Sequence, residues 1–161
     1  MRRLNIKLLV ILLASAGLLS IGVYFVHGWQ LESNIDTLFH QAKQAQEDKN
    51  PRLALKLYRR YLANAPANAQ FAIEARCNQA IVADEMAQGP EGGLWAMRNA
   101  YSLLKDANIA DPSNAEVKRR VINYYLIDRG TPNAFKIADE LITELLKSSP
   151  DDVDLHLKLA V

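Results

Sequence analysis

Apolar positions are distributed along this chain in two different ways. From Leu8 to Val26 they form an uninterrupted run of nineteen residues with no charged side chain. After Glu32 apolar and polar residues alternate with helical spacing. Ala54 stands four residues before Tyr58, Ala100 before Leu104 and Ala138 before Ile142. Side chains four apart share one face of a helix, and an alanine there leaves room for a neighbouring helix to approach closely. Eight residues after each large apolar residue comes a proline: Pro66, Pro112 and Pro150. Proline cannot continue a helix and pushes the residue before it into extended geometry. Asn68, Asn114 and Asp152 follow two residues later, and such side chains suit helix N-caps because they accept from first-turn amides. The chain from 34 to 161 therefore reads as repeated units of helix, proline turn and capped helix. A long helix is expected from about Ala69 and another from about Leu94, separated by the turn-rich Gln88–Gly93 stretch. The fold class expected is all-α.

The first run has the dimensions of a membrane span. Its twelve Leu, Ile, Val or Phe residues sum to about −4 to −7 kcal/mol of insertion free energy. Nineteen helical residues cover roughly 28 Å, close to a hydrocarbon core. Ala14-Ser15-Ala16 offers a signal-peptidase pattern, but only six apolar residues precede it, against about seven to fifteen in a usual signal. An uncleaved anchor within residues 1–30, spanning at 8–26, is the expectation. Arg2, Arg3 and Lys7 precede the run and nothing charged follows it until Glu32. That asymmetry places the N-terminus in the cytoplasm and the helical part on the outer side of a plasma or inner membrane, in the periplasm or outside the cell.

Charge and chemistry narrow the function. Without Arg2, Arg3 and Lys7 the chain holds 16 basic residues against 18 acidic ones, all beyond position 31. A weakly acidic domain lacks the field that binds phosphate backbones, so nucleic acid is not expected as a partner. Lys118-Arg119-Arg120 reads as a solvated helix face. The single cysteine, Cys77, excludes an intramolecular disulfide and reads as a small buried thiol. His27, His40 and His156 are not spaced as metal ligands. No nucleophile motif, phosphate loop or cofactor motif is present, so neither a cofactor nor catalysis is expected.

The alanine, large apolar and proline pattern resembles the tetratricopeptide repeat family. In the first unit Leu38 stands at that family's tryptophan, Ala42 at its small glycine, and Ala54, Tyr58 and Pro66 at the second-helix alanine, aromatic and proline. Leu104 and Ile142 replace the aromatic in later units, and the prolines lie 46 and 38 residues apart where the family averages about 34. The resemblance implies a solenoid of about three helix pairs with a peptide-binding concave face lined by first helices. In this frame Phe39, Lys43, Gln70, Ile73, Arg119 and Asn123 are the residues offered to a protein or peptide partner, with Asp36, Gln46, Cys77 and Glu116 beside them. Arg119 and Asn123, one turn apart, resemble half of a carboxylate clamp. A terminal helix expected to leave Leu155, Leu157, Leu159 and Val161 uncovered implies a fragment or truncated product of a longer repeat protein, ending within a fourth repeat. The function expected is a membrane-tethered interaction scaffold. The alternatives are a self-assembling envelope protein and the anchor or sensor arm of a longer enzyme.

Overall fold

The computed structural model describes residues 35–66, 68–90, 92–127 and 131–159, together with Ser15. Among them are seven helices between residues 35 and 159 and no strand: α1 (35–47), α2 (Pro51–Asn64), α3 (Ala72–Gln88), α4 (Leu94–Ala110), α5 (Ala115–Ile127), α6 (Ala134–Ser148) and α7 (Val153–Leu159). The architecture is all-α and solenoid-like. From α2 onward each helix packs on the next in chain order, and α3 also touches α5. The span expected at 8–26 lies outside the described residues, apart from Ser15. Among the described residues no helix is long and apolar enough to cross a membrane.

The proline rule holds at all three turns. Ala65, Asp111 and Ser149, each directly before a proline, end α2, α4 and α6 with ψ of 139°, 85° and 71°. Side chains then restart the helices. Asn114 Oδ1 accepts from the Val117 amide at 3.1 Å, Asp152 Oδ1 from Leu155 at 3.1 Å, and Asn50 Oδ1 from Leu53 at 3.2 Å. Each such cap is worth about 1 kcal/mol. Asn68 does not act this way. Its neighbours form turns through Ala69 N to Pro66 O and Ala72 N to Ala69 O, so α3 begins at Ala72, with Phe71 as an N-cap that makes no side-chain bond.

The three alanines of the repeated pattern are fully buried, as close-approach positions require: Ala54, Ala100 and Ala138 are each 0% exposed. The interior is a train of clusters and not one core. The first gathers Phe39, Ala42, Tyr58 and Tyr61 against Ala75 and Val82 of α3, and the largest joins Cys77 and Ala80 to Leu104, Val121, Ile122, Ile142 and Leu155. A third holds Ala83, Ala87 and Ala100. Helix α3 serves all three, so it is buried around most of its circumference, and small side chains let α2, α4 and α5 crowd around it.

Candidate partner-binding surface

The Lys118-Arg119-Arg120 run is an interhelical clamp, correcting the solvated face expected of it. Consecutive helical residues point about 100° apart, so three of them reach three neighbours. Lys118, buried, pairs with Glu144 of α6 at 3.0 Å. Arg119 pairs with Asp152, the cap of α7. Arg120 pairs with Asp84 of α3 at 2.7 Å, with Glu85 at 3.2 Å and with Glu116 one turn back at 2.7 Å.

Asp84 is the centre of this arrangement. Its carboxylate is 0% exposed and accepts from Arg120 Nη1 at 2.7 Å, Tyr124 Oη at 2.8 Å and Gln88 Nε2 at 2.8 Å. A buried carboxylate is tolerated when its lone pairs are satisfied in this way. Burial would lower the Arg120 pKa, but the bonds to Asp84 and Glu116 outweigh it and the value is raised. Burial, helped by the bond to Asp84, raises the Tyr124 phenol. The Arg119 hydrogen bond lowers the Asp152 pKa.

These bonds change the surface expected from the sequence. Phe39 is not offered to a partner: it is 1% exposed, stacked on Phe71 with centroids 4.5 Å apart, and bounded by Tyr58 and Tyr61. Phe71 precedes α3 and drops onto Phe39, converting a groove position into core. Arg119 is not an open carboxylate receptor, because Asp152 already occupies it. Lys43 is exposed but pairs with Glu74 at 3.2 Å. Gln70 is exposed at a small polar cavity shared with Ile35, Asp36 and Pro66, and Ile73 is exposed. Cys77 is buried, and its burial raises the thiol pKa, consistent with an inert small hydrophobe. Among the described residues no group of three or more His, Cys, Asp or Glu could hold a metal.

Asn123 borders a sizeable depression. Between the start of α4 and the end of α5 lies an open cleft of about 790 Å³, lined by Leu94, Met97, Tyr101, Leu126 and Ile127 with Gln88, Arg98, Asn123 and Tyr124. No family model matches this chain, and no curated protein or solved structure is significantly similar to it. The cleft's own chemistry therefore carries the argument. Leu94 and Ile127 are each 79% exposed, and Met97 is also open to solvent. Tyr101 stacks on Tyr124 at 5.3 Å and meets Tyr125 edge-on at 5.6 Å, forming a floor that the Tyr124–Asp84 bond ties to α3.

The turn before α4 aims one wall. Gly92 donates to the Gly89 carbonyl at 2.9 Å, and a Cβ added to Gly92 would fall 1.9 Å from the Ala87 carbonyl oxygen, so glycine is required for the chain to turn this tightly. The first apolar turn of α4 is left uncovered, with Leu94 and Trp95 79% and 78% exposed. The sequence does contain a signal for this: Leu94 and Trp95 open a helix directly after Gly92-Gly93, without polar residues between. Elsewhere leucine is core, at Leu104 and Leu155, which hides the signal.

Proposed function

We infer that this chain is a tetratricopeptide-like scaffold, tethered to a membrane through residues 8–26, that binds an apolar segment of a protein partner in the cleft between α4 and α5. The observation that carries the reading is the cleft itself: exposed Leu94, Met97 and Ile127 around a tyrosine floor, with Gln88, Arg98 and Asn123 among its lining. Ligand-binding grooves have this composition, apolar walls with a few polar groups that fix orientation. Arg98 at the rim forms no ion pair among the described residues, so the partner segment presents aliphatic side chains and a carboxylate to meet it. The solenoid-like arrangement of the helices and the three buried alanines support a binding module.

Selection of displayed random peptides on the full-length chain in lipid nanodiscs tests this. Selected peptides should share spaced aliphatic residues and an acidic one, and should lose binding at least tenfold to a Leu94→Glu/Ile127→Glu variant. Peptides that bind that variant unchanged would refute the cleft as the binding site. The topology is tested separately by fusing a reporter active only in the cytoplasm after Gln30. No signal is expected, and a strong one would reverse the orientation.

Helix α7 favours a second reading, in which the repeats associate with themselves, because Val153, Leu157 and Leu159 are exposed on it. Sedimentation of the full chain in detergent at rising concentration separates the two readings: a fixed mass supports the scaffold, and concentration-dependent growth supports assembly.

A further inference from the structure

The outer face of α2 differs from the outer faces of the other helices that close a pair. Arg52, Lys56, Arg59 and Arg60 are all exposed, and α2 contains no acidic residue. At 100° per residue these four side chains fall within an arc of roughly 100°, opposite the buried Ala54, Tyr58 and Tyr61, and they extend over about 12 Å of helix. Helix α6 by contrast mixes Lys136 and Lys147 with Asp139, Glu140 and Glu144, and α4 sets Asp106 beside Lys105. Lys56, Arg59 and Arg60 form no ion pair among the described residues, whereas the cations of α5 are each matched by a carboxylate. In a weakly acidic domain this is a segregated positive surface.

Its position relative to the chain's entry is the second observation. Helices α1 and α2 form a hairpin, closed by the Tyr58 hydroxyl donating to Gln46 at 2.9 Å and by the Phe39–Tyr58 ring contact. The end of α2 thereby returns to the start of α1: Pro66 and Asn68 line one small cavity with Ile35 and Asp36. The opposite edge carries the α1–α2 and α3–α4 turns, where Lys49, Pro51 and Arg52 line a cavity with Gly89, Pro90 and Ala96. In the sequence the apolar run ends at Val26, shortly before Ile35, the first described residue of α1. Arg59 and Arg60 therefore lie toward the edge where the described chain begins, and the α4–α5 cleft lies toward the opposite edge.

We propose that the basic outer face of α2 rests on anionic lipid headgroups of the bilayer that tethers the chain. The chemistry is phosphate recognition by closely spaced lysine and arginine, each of which multiplies residence at an anionic surface roughly fivefold. This proposal rests on the tether at 8–26 for its choice of lipid over an acidic protein.

The full-length chain carrying an environment-sensitive fluorophore on a cysteine at Ala63→Cys, an exposed position on the same face, is reconstituted into phosphatidylcholine vesicles with and without phosphatidylglycerol, each containing a headgroup quencher. Quenching should appear only with phosphatidylglycerol, disappear at high salt, and fall about tenfold or more in a Lys56→Gln/Arg59→Gln/Arg60→Gln variant. A Lys136→Gln/Lys147→Gln variant should leave it unchanged. Quenching that ignores lipid charge, that survives the triple substitution, or that is absent at every composition overturns the proposal. Co-flotation with phosphatidylcholine vesicles at high salt reports the tether alone. If that fails, low-salt flotation with phosphatidylglycerol vesicles still decides the proposal by its sensitivity to the triple substitution.

Discussion

Replacing Asp84 by alanine should be one of the most costly substitutions in the chain. The change removes a carboxylate that is 0% exposed and three hydrogen bonds, two of which join α3 to α5: Arg120 and Tyr124 of α5 and Gln88 of α3 itself each lose their acceptor. Breaking a buried ion pair by removing one partner typically costs about 3–5 kcal/mol. Arg120 keeps Glu116 at 2.7 Å and Glu85 at 3.2 Å, which places this case at the lower end, about 3 kcal/mol. Against a total of roughly 5–15 kcal/mol that loss is large and lowers the melting temperature by roughly 10 °C. Melting of the full chain in mild detergent, followed by helical circular dichroism, gives the comparison. Glu85→Ala, which removes only an exposed pairing to the same guanidinium, should cost about 0.5 kcal/mol or less. The double variant Asp84→Ala/Arg120→Met should cost less than the two single changes together, by about 1–3 kcal/mol. If Asp84→Ala melted within about 1 °C of wild type, the clamp described above would not be holding the solenoid.

Two further outcomes follow from the same packing. Ala100→Leu should cost about 1–3 kcal/mol by overpacking a fully buried helix contact, whereas Lys105→Leu, exposed and lying over the Tyr101 ring, should stay within about 0.5 kcal/mol; chemical denaturation ranks the two. Burial pushes the Tyr58 phenol up to about 12 from 10.0. A buried phenol with a raised value favours the neutral form, so its contribution, about 2–3 kcal/mol, is complete below pH 10 and is lost as pH rises toward 12. Tyr58→Phe should flatten that part of an alkaline stability profile, and an unchanged profile would place the titrating group elsewhere.

The elements that were legible in the sequence are those set by near neighbours. Pro66, Pro112 and Pro150 act on the residue immediately before them, Asn114 and Asp152 cap an amide three positions on, and an alanine four residues before a large apolar group fixes a face. What stayed hidden depends on partners far along the chain. Arg120 meets Asp84 across 36 positions and Arg119 meets Asp152 across 33, and neither pairing leaves a local pattern. Phe39 reads as a groove residue by its register, yet Phe71 from the following turn covers it. The cleft is harder still, because its walls come from the start of α4 and the end of α5, which local patterning does not bring together.

Hydrogen exchange on the full chain in nanodiscs, with and without a cleft-selected peptide, tests the central claim most directly. Protection should gather on residues 94–101 of α4 and 123–127 of α5. Protection gathering instead around Lys43, Gln70 and Ile73, with the cleft unchanged, would contradict the account and return the binding site to the face formed by α1 and α3.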